Sequence, residues 1–202
     1  MTTIVLVRHG ETDLNRDRRF RGRLDVPLNA VGRGQAEACA RRITDEWKPT
    51  GVYSSPLSRA VQTAQPIARG LGLSVQVDAA FADLDYGQWQ GLTLDEARRR
   101  WPDLVEAWHK DAACVAPPGG ESLLEVQSRA VAGLRAIVAR REPTTLVVVA
   151  HDAVNRLLLL AALDAPLSAF ARVGQATGAV NVIEASNGVL GVAKLNDTCH
   201  LR

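Results

Sequence analysis

The sequence of 202 residues is long enough for one globular domain with a sizeable buried core. Hydrophobic residues make up 47% of the chain and charged residues 23%, which is the profile of a soluble globular protein. The formal net charge is only +2, so bulk charge predicts neither a nucleic acid nor a membrane surface as a partner.

The N-terminus and the cysteines favour a cytoplasmic location. An apolar strand begins at once, with no basic region before it, so we expect no signal peptide. The longest apolar run, Leu157–Leu163, is too short to cross a bilayer. Cys39, Cys114 and Cys199 are far apart and lack metal-ligand spacing, so we expect reduced, mostly buried thiols.

Apolar runs alternate with helical patterns in the first half of the chain. In order, we predict a strand at Thr3–Val7, a polar turn-like segment at Arg16–Pro27, a helix capped by Asn29, a strand at Gly51–Tyr53, a helix at Arg59–Arg69 that stops at Gly70, and a strand at Ser74–Val77. The first strand is continuously apolar, which is typical of a strand covered on both faces of a parallel sheet.

The second half repeats the alternation after an irregular loop. The predicted elements are a loop at Phe81–Leu92, a helical stretch that contains Trp101 and Trp108, a loop at APPGGES, a helix at Leu123–Arg141, a strand at Thr145–Val149, a helix at Asp152–Leu163 and two edge strands between Ala179 and Leu195. This order predicts an α/β fold, a three-layer α/β/α sandwich around a mostly parallel sheet.

Arginine and histidine side chains lie just past three of the predicted strands. Arg8 and His9 come after the first strand, Arg59 after the second, and His151 after the strand at Thr145–Val149. In open α/β sheets ligands bind beyond the C-terminal ends of the strands. We therefore expect two arginines and two histidines to meet in one crevice.

This combination suits phosphoryl transfer. Two guanidiniums match the oxygens of a phosphate dianion, and a histidine between them stays neutral and nucleophilic because its cation would be repelled. The second histidine and Asn15 could supply further hydrogen-bond donors. A carboxylic acid must also protonate the leaving oxygen, and the candidates are Asp83, Asp85 and Asp152.

Five segments, in order along nearly the whole chain, resemble the histidine phosphatase superfamily in its cofactor-dependent phosphoglycerate mutase-like branch. They are LVRHGET with Asn15, RFRGRLDVPLN, SSPLSRAVQTA, DLDYGQWQG and VVAHD. The resemblance implies a phosphoglycerate mutase-like fold, phosphorylation of His9 and no metal. It also implies a phosphate site formed by Arg8, Arg59 and His151, and a substrate loop that includes Arg21 and Gly22.

Two positions depart from that family. Asp83 stands where the family usually has a glutamate as proton donor, and Asp152 stands where it often has glycine. In the related acid phosphatase and phytase branch a His-Asp pair supplies the donor, so Asp152 is the alternative acid. We favour Asp83, interpret Asp152 as a helix N-cap beside the substrate site, and interpret Glu121 of GGES as a helix N-terminal acid rather than a support for arginines.

We predict a phosphomonoesterase that acts on small phosphorylated metabolites through a phosphohistidine on His9. One alternative is a phosphoglycerate mutase, although mutases of this family are usually longer. The other is a phospho-ligand binding protein with weak or no turnover, because both acid positions depart from the family. We expect one domain over residues 1–202 with a small cap around 83–116, no cofactor or metal, and no nucleic-acid or membrane partner; a homodimer stays open.

Overall fold

A computed structural model describes residues 1–139, 144–186 and 188–202, which form six β-strands and seven α-helices. The strands are β1 (Thr2–Arg8), β2 (Gly51–Ser54), β3 (Val75–Val77), β4 (Thr145–Ala150), β5 (Val180–Ser186) and β6 (Val189–Asp197). The helices are α1 (Asp13–Arg16), α2 (Ala30–Glu46), α3 (Ser58–Gly70), α4 (Leu94–Arg100), α5 (Pro102–Lys110), α6 (Leu123–Ala139) and α7 (Asp152–Ala162).

All six strands form one mixed sheet, in the order β3-β2-β4-β1-β5-β6. The pairings of β1 with β4, β4 with β2 and β2 with β3 are parallel, whereas β5 pairs antiparallel with both β1 and β6. The prediction of a mostly parallel sheet is therefore confirmed. The prediction of two C-terminal edge strands is wrong for β5, which lies inside the sheet because β6 covers its outer side.

The central strands are apolar throughout because helices cover both faces of the sheet. Ile4 and Leu6 of β1 belong to an apolar cluster with side chains of α6 and α7, and Val5 and Val7 belong to a second cluster with α2 and α3. All four side chains are fully buried. Burial of each such side chain contributes about 1.5–3 kcal/mol. The alternation along β1 thus creates the three layers that the sequence predicts.

Helix ends follow local capping chemistry. The side chain of Asn29 accepts a hydrogen bond from the Gly32 amide at 2.9 Å, which confirms it as the N-cap of α2. The predicted helical stretch around Trp101 is instead two helices, α4 and α5. Pro102 opens α5, and the residue before a proline is disfavoured in helical conformation, so Trp101 separates the two.

The helices α4 and α5 pack on a separate apolar cluster. Trp89, Ala97 and Val105 are fully buried there, with Tyr86 and Trp108 against them. The loop predicted at Phe81–Leu92 contributes to this cluster and includes a short 3-10 helix at Gly87–Trp89. The subdivision of the chain into a main domain and a cap at 83–116 stays a prediction.

Three other expectations are corrected or limited. Cys39 is buried, but Cys114 and Cys199 are exposed, so the expectation of mostly buried thiols is wrong. Helix α3 includes Gly70, the residue predicted to stop it. The last two residues of the helix predicted at Leu123–Arg141 lie outside the described residues.

Among the described residues, no helix combines the length and the apolar composition that a membrane crossing requires.

Candidate active site

The parallel register brings the two histidines together. Arg8, the last residue of β1, pairs with Ala150, the last residue of β4, so His9 and His151 leave the sheet side by side. Their ring centroids lie 5.1 Å apart. Strand β2 pairs with the other side of β4 and ends at Ser54, opposite Val149, so Ser55 lies at the same edge of the sheet. The expected convergence at the C-terminal ends of the strands is therefore observed, with Arg8 inside β1 rather than after it.

The His9 ring has one nitrogen engaged and one free. Nδ1 lies 2.6 Å from the carbonyl oxygen of Gly10, and because a carbonyl only accepts, Nδ1 carries the proton. Nε2 is buried and has no hydrogen-bond partner among the described residues. Burial, followed by the charges of Arg59 and Arg8, holds the pKa of His9 well below its ordinary range. The ring is thus neutral, with a lone pair on Nε2.

The His151 ring is hydrogen-bonded to the side chain of Ser55. Its Nε2 lies 2.7 Å from the Ser55 hydroxyl oxygen, and its Nδ1 lies 3.6 Å from Oδ2 of Asp83, which is too long for a hydrogen bond. Burial and then the charge of Arg59 hold the pKa of His151 well below its ordinary range. Both histidines are therefore uncharged at neutral pH.

Arg8 and Arg59 supply two buried positive charges. The Nη1 group of Arg8 donates to the carbonyl of Gln175, and Arg59 donates to the carbonyls of Leu24 and Gly22 at 2.8 and 2.7 Å. Burial lowers the pKa of both guanidiniums, which means that water solvates their charges poorly. An anion bound between them would replace that lost solvation.

Asp83 lies with these groups. Its side chain is buried, its Oδ2 accepts from Arg59 at 3.0 Å, and its Oδ1 accepts from the Leu84 amide at 2.9 Å. One methylene shorter than glutamate, it still reaches the edge of the sheet where both histidines lie. The sequence-predicted residues Arg8, His9, Arg59, Asp83 and His151 are thus gathered in one place.

The predicted substrate-loop residues lie beside this group. The charge of Arg21 depresses the pKa of both histidines, and its buried Nε has no partner within the described part of the chain. Gly22 has a φ of +49°, and a Cβ there would lie 2.9 Å from the Leu84 carbonyl oxygen, so only glycine fits without strain. Asn15 forms a capping box with Thr12 at the start of α1; its contact with a substrate stays a prediction.

Asp152 does not cap α7. His151 occupies the N-cap position without a side-chain cap, and the Asp152 carboxylate instead accepts from Arg156 at 2.7 Å, one turn along the helix. Its charge also opposes the lowering of the pKa of Arg8. The capping interpretation was wrong because an arginine four residues ahead offers a stronger, charge-assisted partner than the backbone amides.

Glu121 is a support for arginines, contrary to the interpretation as a helix N-terminal acid. Its carboxylate accepts from Arg129 at 2.9 Å and lies 3.2 Å from the guanidinium of Arg23. Ser122 and Glu125 cap the start of α6 in its place. Burial would raise the pKa of Glu121, but the hydrogen bonds from Arg129 and the Asp85 amide outweigh it and lower that pKa.

Two residues that support the site were not predicted from the sequence. Ser55 holds His151, and the hydroxyl of Thr63 accepts from the amide of Gly10 at 3.0 Å while it donates to the carbonyl of Arg59. Both lie inside the segment SSPLSRAVQTA, in which only Arg59 was predicted to belong to the site. Their position within a strand-end segment that also carries Arg59 was the available signal.

The described residues contain no group of three or more histidine, cysteine, aspartate or glutamate side chains that could hold a metal ion. The chemistry that the site offers is that of a neutral imidazole lone pair, three arginine charges nearby and a buried carboxyl. This set can receive a phosphoryl group and stabilise the charge on its oxygens.

Comparison with known proteins identifies relatives across the whole chain. A model of the histidine phosphatase superfamily (branch 1) matches residues 4–198. Phosphoserine phosphatase 1 of Hydrogenobacter thermophilus is 33% identical over 201 residues, covering 100% of this chain and 95% of that protein. Curated relatives from Mycobacterium tuberculosis and Mycobacterium bovis are 37% identical over 201 residues, and the chain spans about half (55%) of their length.

Solved structures share the fold. YhfR of Bacillus stearothermophilus superimposes with a TM-score of 0.94 at 32% identity, and the match covers 100% of both chains. The mycobacterial glucosyl-3-phosphoglycerate phosphatase in complex with VO3 gives a TM-score of 0.89 at 30% identity, with 98% of this chain and 100% of that chain covered.

Proposed function

The chain belongs to the histidine phosphatase superfamily (branch 1), and we propose that it hydrolyses small phosphate monoesters through a phosphohistidine on His9. The observation that carries the proposal is the free, buried Nε2 of a neutral His9, which lies among guanidiniums and beside a second neutral histidine. A nucleophile and a dianion site in contact are what transfer to histidine requires.

In the first step, the lone pair on Nε2 of His9 attacks phosphorus and the bond from phosphorus to the ester oxygen breaks. The ester brings one proton into the site, and Asp83 passes it to the departing oxygen, so the alcohol leaves neutral. The His9 ring becomes positive, and the Nδ1–H bond to the Gly10 carbonyl stabilises that charge. Arg8 and Arg59 stabilise the phosphoryl oxygens.

In the second step, water attacks the phosphorus of the phosphohistidine. The Asp83 carboxylate takes a proton from that water, the P–N bond breaks, and its electron pair returns to Nε2. Inorganic phosphate leaves with the proton that Asp83 took from water, and both His9 and Asp83 regain their starting states. The net reaction consumes one ester and one water and yields one alcohol and one phosphate.

His151 would bind the phosphoryl group as a neutral donor. If the Ser55 hydroxyl donates to Nε2, the ring proton resides on Nδ1, the nitrogen that lies towards Asp83. A neutral donor serves both steps, because it stabilises the oxygens without repelling the positive ring of phosphorylated His9.

Asp83 is the acid that the contacts support over Asp152. The carboxylate of Asp83 lies 3.0 Å from Arg59 and 3.6 Å from His151, both of them in the proposed phosphate site. The carboxylate of Asp152 is bound to Arg156 at 2.7 Å. We propose that Asp152 acts at the edge of the substrate site, where it offsets the charge of Arg8.

The substrate class follows from the relatives and the site. Relatives are named for phosphoserine and for glucosyl-3-phosphoglycerate, which are small phosphorylated metabolites. We propose that this chain takes a metabolite of that kind, in the cytoplasm, with Asn15, Arg21, Gly22 and Asp152 in contact with it. We expect it to act without nucleic acid, membrane, cofactor or metal.

The test measures phosphate release from p-nitrophenyl phosphate and phosphoserine, with and without EDTA, together with acid-labile label on the protein. The wild type should release phosphate equally in EDTA, and His9→Ala should lose both turnover and label. His109→Ala, which removes an exposed histidine, is the matched control and should keep both. Label that persists in His9→Ala, or turnover that needs a divalent cation, would contradict the mechanism.

A further inference from the structure

Arg129 of α6 binds the backbone of the loop that carries Asp83. Its Nη1 group donates to the carbonyls of Ala80 and Ala82 at 2.9 and 2.7 Å, and its Nη2 group donates to the carbonyl of Asp83 at 3.0 Å. This loop lies outside the sheet, so its carbonyls have no ladder partners and need side-chain donors. One guanidinium supplies three of them.

Glu121 completes the arrangement from the other side of Asp83. It accepts from Nε and Nη2 of Arg129, both at 2.9 Å, and from the Asp85 amide at 3.0 Å. The Glu121 amide in turn donates to the Asp85 carbonyl at 2.9 Å. The same carboxylate accepts from Arg23 of the substrate loop at 3.2 Å.

The hydrogen bonds of Arg129 exclude a direct role in binding substrate. A guanidinium has five N–H donors, and the five contacts to Ala80, Ala82, Asp83 and Glu121 use all of them. Both side chains are also only about one-fifth exposed. Any effect of Arg129 on the reaction must therefore act through the loop that carries Asp83.

We infer that Glu121 and Arg129 are positioning residues for the acid Asp83, an inference that rests on the proposed function. They hold the backbone immediately before and after Asp83, so they set where its carboxyl lies relative to Arg59 and His151. A misplacement of a reacting group by about 1 Å costs on the order of 100-fold in rate. Through Arg23, the same pair couples the acid loop to the substrate loop.

A lysine cannot replace Arg129 in this role. Its single ammonium has three donors at one point, whereas the present contacts spread over three guanidinium nitrogens that face two directions. Arg129→Lys therefore keeps the charge and loses part of the network, which separates a requirement for geometry from a requirement for charge.

The experiment compares kcat/KM for p-nitrophenyl phosphate and for an alkyl phosphate, because kcat/KM reports the steps up to departure of the leaving group. p-Nitrophenolate leaves without protonation, so a misplaced acid slows the alkyl ester selectively. We expect Arg129→Met, Arg129→Lys and Glu121→Gln to lower kcat/KM for the alkyl ester about 10–100-fold more than for p-nitrophenyl phosphate, with vanadate inhibition retained.

The matched control is Arg135→Met, which removes an exposed arginine from the same helix and should leave both values unchanged. Hydrogen exchange at the Asp85 amide is the second readout, and it should accelerate in the Arg129 and Glu121 variants. If Arg129→Met does not fold, Glu121→Gln decides the question, since it keeps the shape of the side chain.

Two negative outcomes have different meanings. A wild type that hydrolyses neither ester contradicts the proposed function itself. A wild type that hydrolyses both, with variants that slow both esters equally or slow neither, overturns the inference alone, because the acid would then be positioned without this pair.

Discussion

His9 and His151 lie in contact without solvent exposure, and the same arginines surround both rings. A protonated ring there would face Arg8 and Arg59 without water to screen the repulsion, so each histidine stays neutral. The environment that makes the site attractive to a phosphate dianion is therefore also the one that keeps His9, the proposed nucleophile, unprotonated.

Arg59 should dominate anion binding. It is fully buried and donates to the predicted substrate loop as well as to Asp83, so its removal takes one of the two arginine charges from the proposed phosphate site. We expect Arg59→Met to weaken competitive inhibition by phosphate and vanadate by about 2–5 kcal/mol. Inhibition constants measured against p-nitrophenyl phosphate check this value.

The control for this prediction is Arg69→Met on the same helix. Arg69 pairs with Glu37 on the surface, far more exposed than Arg59, and its loss should leave inhibition unchanged. Inhibition by vanadate that survives in Arg59→Met would place Arg59 outside the anion site.

The residues whose roles were predicted wrongly from the sequence are two carboxylates, each of which could bind either a backbone amide at a helix start or an arginine. Asp152 stands at the start of a helix, where capping is common, yet it pairs with Arg156. Glu121 stands before α6, yet it pairs with Arg129 and contacts Arg23, which is distant in the chain. The Arg156 partner lies one helical turn from Asp152 and could have been read from the sequence as an (i, i+4) pair, whereas the contact between Glu121 and Arg23 depends on tertiary folding.

At the scale of elements, the predicted strand ends carried most of the information about the site. The strands at Thr3–Val7, Gly51–Tyr53 and Thr145–Val149 are observed to within one residue at each end. Because parallel strands in this register end together, the residues that follow them had to meet. The position of Asp83 could not be derived in this way, since its loop follows no regular pattern and is held by side chains of α6 and the loop before it.

The choice between Asp83 and Asp152 is a choice between the acid loop and the start of α7. We expect Asp83→Asn to cut kcat/KM for an alkyl phosphate by about 10²–10⁴-fold, because the leaving alkoxide needs a proton. The effect on p-nitrophenyl phosphate should be much smaller. Steady-state kinetics on the two esters measure the difference.

Asp152→Asn is the comparison for that experiment. It removes the partner of Arg156 and part of the field at Arg8, so it should change substrate affinity without selectivity for the leaving group. If Asp152→Asn shows the leaving-group dependence and Asp83→Asn does not, α7 provides the acid.

At the scale of the whole molecule, the α/β/α layering was predictable because buried parallel strands read as continuous apolar runs. The strand order was not, because the antiparallel addition of β5 and β6 depends on where the chain returns to the sheet after α7. The break between α4 and α5 is a local effect of Pro102 that the spacing of Trp101 and Trp108 concealed.

Burial of two neutral histidines in the centre of the fold should make stability depend on pH. The unfolded chain protonates both rings near pH 6.5, whereas the native state does so only at much lower pH. Below about pH 6.5 the unfolded state therefore binds more protons, and the free energy of unfolding should fall by about 1.4 kcal/mol per pH unit for each ring. Half-buried His200, whose pKa burial also lowers, acts in the same direction.

Urea unfolding between pH 5 and pH 7.5 tests this dependence. His9→Gln removes one ring that must stay neutral in the native state, so its slope below pH 6.5 should be smaller than that of the wild type by about 1.4 kcal/mol per pH unit. His109→Gln, at an exposed position, should keep the wild-type slope. A His9→Gln slope equal to that of the wild type would mean that native His9 takes up its proton near pH 6.5, and the neutral nucleophile would lose its physical basis.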